Sequence, residues 1–284
     1  MAHSRAVAVG ARRARRRPAR VVLVRGRARR RRRLVRALLV APLLLRIALG
    51  AVAVVVLWLV VNAAYQVVQK PTELFFPVSG TLSKAPPETW RQYGPLFTRH
   101  STAVVSAELL AALAQVEGAG NPVARTYWRW SFALNPFEVY RPASSAVGMY
   151  QITDATFLEA RRYCVRDHVA VEDGPWHDRR SCWFNSLYTR VLPSHAVELT
   201  AAYLDRKVAD TLGRRRIRSA TREHQQNLAA VIHLCGAGAG DAYASRGFRL
   251  LPGQRCGDHP VAGYLARVNG MKRQFGRLAA TASP

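Results

Sequence analysis

Glu117 stands where the apolar stretch LLAALAQVE runs into Gly118 and Gly120. A carboxyl there lies in the last turn of a helix, whose carbonyl end disfavours negative charge. Partial burial disfavours the charge further. Both effects favour the protonated carboxyl, which suits a general acid working near neutral pH. The ordinary alternative is a solvated glutamate, so helix position alone does not make the residue catalytic. About thirty residues on, the chain reads SSAVGMYQITDATF, and His233 follows a later apolar run. Glu138 and Asp154 are the nearest acids to serve as a second carboxylate, and Asp154 reads better as a helix cap. No CxxC or HxxxH pair supports a metal site. Gly236-Ala237-Gly238-Ala239-Gly240 ends a helix and does not follow a strand, so it is no dinucleotide loop. No cofactor is expected.

The elements that must position these residues read as helices. Val105, Leu109, Leu113 and Val116 share one face of a helix over 101–117, with Ser101 or Ser106 as its cap. A second is predicted over 154–164, opened by Asp154. Val197, Ala201, Leu204 and Val208 give a third, stopped by Gly213. Leu228, Val231, Ile232 and Cys235 give a fourth, stopped by Gly236, and 260–278 gives a fifth. Strand alternation is nearly absent, apart from a short hairpin around 169–171. The fold class is therefore mostly α.

Charge divides the chain unevenly. There are 43 Lys and Arg against 17 Asp and Glu, a net +26. Residues 1–36 hold 15 arginines with no lysine and no acid, and Arg46 adds one more; 47–284 carries only +10. A uniformly acidic or neutral protein is excluded. An arginine tail invites a nucleic-acid reading, but the next segment argues otherwise. Residues 47–68 are 22 positions without a charge, enough to cross a hydrocarbon core of about 30 Å. The apolar run extends back through 37–46, with Arg46 able to snorkel. The arginines then fix the N-terminus in the cytoplasm and everything beyond about residue 70 outside. A cleavable signal peptide is the competing reading, but the basic region is far longer than usual. No nucleic-acid partner is expected.

Residues 69–100 contain Pro71, Pro77, Gly80, Pro86, Pro87, Gly94 and Pro95, and read as a linker between membrane and domain. One globular domain is expected over 101–278, with a disordered C-terminus at 279–284. All four cysteines fall on the outer side, where an even count suggests disulfides. Three pairings are possible. Cys164–Cys182 with Cys235–Cys256 closes two short loops and is the expected one.

Together, LLAALAQVEGAGNPVA and SSAVGMYQITDATF resemble the soluble lytic transglycosylase (SLT) domain family of the lysozyme-like superfamily. The matching residues are Glu117, Asn121-Pro122 and Gly148-Met149-Tyr150-Gln151, with weaker matches at Gly236-Ala237-Gly238, Tyr264 and Val268. The likeness spans about 103–270. It implies a lysozyme-like domain tethered to one N-terminal transmembrane helix. It implies cleavage of the β-1,4 bond between N-acetylmuramic acid and N-acetylglucosamine in peptidoglycan, leaving a 1,6-anhydro sugar. Glu117 would be the single catalytic acid and base. Ser145, Gly148, Met149, Tyr150, Gln151, His233 and Tyr264 would bind substrate. The implied place is the bacterial inner membrane, with the catalytic domain in the periplasm, glycan strands as substrate and an envelope-spanning machine as partner. Two departures stand out. Gly118 replaces the family's usual Ser, and His233-Leu234 replaces its Tyr-Asn. His233 then reads either as a polar cleft group or as a buried, hydrogen-bonded histidine. The readings left beside the lyase are a catalytically impaired peptidoglycan-binding module and a lysozyme-type muramidase. The aromatics of 125–144 suit sugar stacking and core filling equally.

Overall fold

The computed structural model describes residues 40–175, 177–178 and 181–282. The arginine-rich tail 1–36, the residues 37–39 at the start of the expected anchor, and the last two of 279–284 lie outside the described residues. Contacts divide the chain into two units, 1–61 and 62–284.

Helix α1 (Leu43–Gln69) is, among the described residues, the one helix long and apolar enough to cross a membrane. In the first unit its side chains, such as Leu44, Val54 and Val60, are exposed. Its last turns, from Asn62, belong to the second unit.

The second unit is mostly helical. Residues 69–100, expected as a linker, are instead folded. Two short turns (Pro71–Phe75 and Gly80–Leu82) flank the four-residue α2 (Phe76–Ser79), and α3 (Pro86–Arg99) follows. Of the prolines that suggested a linker, Pro86 and Pro87 open α3, where a missing N–H costs nothing, while Pro95 sits inside the helix. Tyr93 and Phe97 on this helix are buried in the core, at the four-residue spacing of one helix face.

Helix α4 (Ala107–Gly118) is the central element. Ser106 caps it by accepting from the Leu109 N–H. Leu109 through Ala114 are all buried, with α9 (Val261–Ala282) and α3 packed on it. Helices α6 (Pro193–Arg214), α7 (Arg222–Cys235) and α8 (Ala237–Ser245) complete the core with Leu199, Leu204, Leu228 and Ile232. Helix α8 starts directly after Gly236, where the sequence suggested only a helix stop.

Helix α5 (Asp154–Ala160) is shorter than expected. Thr153, not Asp154, caps it by accepting from the Thr156 N–H. It ends because the chain turns into the hairpin β3 (Tyr163–Arg166) and β4 (Val169–Glu172). Two more hairpins, β1–β2 (Trp128–Trp130, Tyr140–Pro142) and β5–β6 (Arg255–Cys256, His259–Pro260), lack the alternation that would have revealed them. Helix α9 continues through 279–282, expected as disordered, and its Phe275 is fully buried. The disulfides are Cys164–Cys182 and Cys235–Cys256.

Candidate active site

Glu117 occupies the last turn of α4. The helix stops there because Ala119 turns left-handed, at φ 49°, and its N–H returns to the helix carbonyls. The chain leaves through Asn121, whose Oδ1 accepts from the Val123 N–H and whose amide donates to the Ser79 carbonyl. The carboxyl thus sits at a rigid exit, beside a loop fixed from both ends.

Tyr264, on α9, donates its hydroxyl to Glu117 Oε1 at 2.6 Å. Burial, and then the charge on Glu117, push the Tyr264 phenol well above its ordinary value, so it stays a donor throughout the working pH range. His233 Nε2, on α7, lies 3.8 Å from the same oxygen. Burial lowers the His233 pKa, while Glu117 and a hydrogen bond to the Tyr150 backbone carbonyl oppose that shift. The ring is therefore mostly neutral at pH 7 and does not neutralise Glu117. The Tyr150 ring stands nearly perpendicular to that ring, with centroids 6.4 Å apart. Glu117 Oε2 makes no hydrogen bond among the described residues, and the side chain keeps 18% of its surface open. One carboxylate oxygen is held and the other is available for proton exchange.

The 148–151 turn lies against Glu117 through the backbone of the next residue. A Cβ on Gly118 would stand 2.9 Å from Met149 Cα and 3.0 Å from its carbonyl oxygen. Glycine is what lets the turn approach. Gly148 has φ 81°, and a Cβ there would reach 2.4 Å from the Arg190 carbonyl, so both its conformation and its space call for glycine. Gln151 donates from its side chain to the Gly148 and Ala124 carbonyls. Arg190 clamps the other side by donating to the Ser145 and Ile152 carbonyls.

The expected site residues therefore separate into two groups. Glu117, His233, Tyr264 and the backbone of the turn are together. Met149 and Tyr150 are fully buried, main chain included, so neither presents a surface to a ligand and both instead pack the turn into the core. Gln151 braces the turn that carries it. Ser145 receives the Asp154 N–H at the start of α5. Of the two alternative acids, Glu138 pairs with Arg141 and Asp154 with Arg190. Among the described residues, no group of three or more His, Cys, Asp and Glu is placed to hold a metal ion.

One polar cluster was not read from the sequence. Glu198 on α6 accepts from the Val165 N–H and from the Tyr188 hydroxyl, with His100 3.8 Å away. It borders a cavity of about 660 Å³. Its only signal was an acid inside the apolar run of α6. Its hydrogen bonds tie β3 to α6, a structural use of a carboxylate.

No protein-family model matches the chain, and no curated protein or solved structure was found to match it either.

Proposed function

We propose that this chain is a membrane-anchored lytic transglycosylase with a lysozyme-like, SLT-type domain acting on peptidoglycan. The observation that carries the proposal is the Glu117 carboxylate. It is held at one oxygen by Tyr264, open at the other, and set beside the 148–151 turn. This is the environment a single acid–base group needs.

Glu117 in its acid form protonates the glycosidic oxygen between N-acetylmuramic acid and N-acetylglucosamine, and the C1–O bond breaks. The resulting carboxylate takes the proton from the muramic C6 hydroxyl as that oxygen bonds to C1. The product is a 1,6-anhydro sugar, no water is consumed, and the proton returns to Glu117. Each transfer restores what the other used, so one carboxylate suffices. Tyr264 holds the anion between the steps, and the neutral His233 leaves its charge intact.

The assignment to the outer face of a bacterial inner membrane rests on the arginine tail, the apolar helix and two disulfides, which form in oxidising compartments. Glycan strands would be the substrate and an envelope-spanning machine the partner.

The test is peptidoglycan incubated with the full chain, followed by mass analysis of released muropeptides. Anhydro products that vanish in Glu117→Gln support the proposal. Reducing-end products would make the protein a muramidase. Binding without release would make it a wall-binding module.

A further inference from the structure

The β1–β2 hairpin carries aromatic and basic residues that the acid–base site does not use. Its tip leaves Phe132 and Leu134 bare, at 112% and 106% exposure, with Trp130 at 66%. Neighbouring large apolar side chains so fully exposed mark a surface meant for something other than water.

The loop end of the same hairpin, where Trp130 pairs with Tyr140, is fastened to the last turns of α1. Asn62 donates from its amide to the Tyr140 carbonyl at 2.7 Å, and Gln66 to the Phe137 carbonyl at 2.6 Å. Between them, the Tyr65 ring stacks on Phe137 at 5.3 Å. Two of these three contacts end on main-chain carbonyls, so they fix the backbone of the hairpin rather than one rotamer. Asn62, Tyr65 and Gln66 belong to the uncharged stretch 47–68. The hairpin is therefore bound to the outer end of the segment suited to crossing a bilayer.

Its composition fits that level. Trp130 packs on Tyr140 with ring centroids 4.6 Å apart, and Trp and Tyr favour the headgroup boundary. Arg129 and Arg141 face each other across the ladder. Like charges directly opposite are unfavourable in water; Glu138, 3.6 Å from Arg141, offsets part of this, and phosphates at the headgroup level would offset the rest.

We propose that the β1–β2 hairpin is an interfacial anchor. Phe132 and Leu134, with Trp130, enter the outer face of the bilayer, while Arg129 and Arg141 meet lipid phosphates. The proposal rests on α1 crossing a membrane and is independent of the chemistry at Glu117. It makes the hairpin a second point of attachment that holds the globular unit at the membrane surface.

The test uses the full chain in vesicles of phosphatidylethanolamine and phosphatidylglycerol. A nitrobenzoxadiazole label is placed at Leu134→Cys or, as control, at the exposed Ser219→Cys. The side chain of Leu134 is fully exposed, so its loss leaves the fold intact. Expected are several-fold weaker iodide quenching at 134 than at 219, and quenching by doxyl-labelled lipid at 134 alone. Equal iodide quenching at both positions, with no doxyl-lipid quenching, overturns the proposal. Protection at 134 that appears only when glycan strands are added also overturns it, and assigns the tip to sugar stacking. Because neither outcome reads muropeptide release, failure here is distinct from failure at Glu117.

Discussion

The Tyr264 hydroxyl reaches Glu117 Oε1 at 2.6 Å from a residue 147 positions away in sequence. This contact exists only if α9 packs on α4, so it reports the whole core rather than a local motif. It also decides which carboxylate oxygen is engaged. A buried phenol that stays protonated is a fixed donor, and a fixed donor orients the acid without exchanging protons with it.

Tyr264→Phe keeps the buried ring and removes only that donor. A hydrogen bond to a charged group contributes about 1.5–3 kcal/mol, and about 1.4 kcal/mol is tenfold in rate. Anhydro-muropeptide release is expected to fall about tenfold to a hundredfold, with circular dichroism showing a native fold. An unchanged release rate would remove Tyr264 from the positioning of Glu117.

His233 gives a pH signature. Burial holds its folded pKa below the ordinary value, while the unfolded chain titrates near about 6.5. Below that pH the unfolded state takes up a proton that the folded state refuses, so stability falls as pH falls. Burial shifts His100 and His195 in the same direction, and they add to the effect. Thermal melts should show a Tm that is level above about pH 7 and drops toward about pH 5. In His233→Gln the drop should be shallower. An identical slope would place His233 outside the linkage.

Gly118 departs from the SLT pattern, and the geometry supplies a reason. Gly118→Ser would push Cβ against the Met149 backbone, which is not a flexible side chain that can turn aside. Overpacking of this kind costs about 1–3 kcal/mol, or about 2–12 °C in Tm for a chain of this size. Muropeptide release should fall as well, because the displaced turn borders Glu117. A serine variant with unchanged Tm and higher activity would show that the turn has room.

The sequence disclosed what repeats along the chain and concealed what depends on the third dimension. Helices α4, α6, α7 and α9 were visible because apolar residues recur on one face. Helix α3 was hidden by prolines that mark a linker in sequence, although Pro86 and Pro87 are harmless in a first turn and the helix runs on through Pro95. Hairpins β1–β2 and β5–β6 are too short for alternation to register. Within the site, Glu117, His233 and Tyr264 were singled out beforehand, but the buried side chains of Met149 and Tyr150 and the bracing role of Gln151 were not. A motif gives residue identity, whereas the direction of a side chain depends on which neighbours fill the core.

The two disulfides test whether the site is coupled to the frame. They close loops of similar length, with cysteines 18 and 21 residues apart, so in the chain-entropy picture each contributes about 3 kcal/mol. Their surroundings differ. Cys235 lies two residues beyond His233 at the end of α7, and Cys256 lies in β5, shortly before α9 brings in Tyr264. This bridge ties together the helix ends that carry the two partners of Glu117. Cys164–Cys182 instead secures β3, next to the Glu198 cluster. Removing either pair with serine should lower Tm by a similar amount, about 6–12 °C. Well below those melting points, only Cys235→Ser/Cys256→Ser should slow muropeptide release. Equal loss of activity in both double variants would mean that global stability, not the seating of His233 and Tyr264, limits the chemistry.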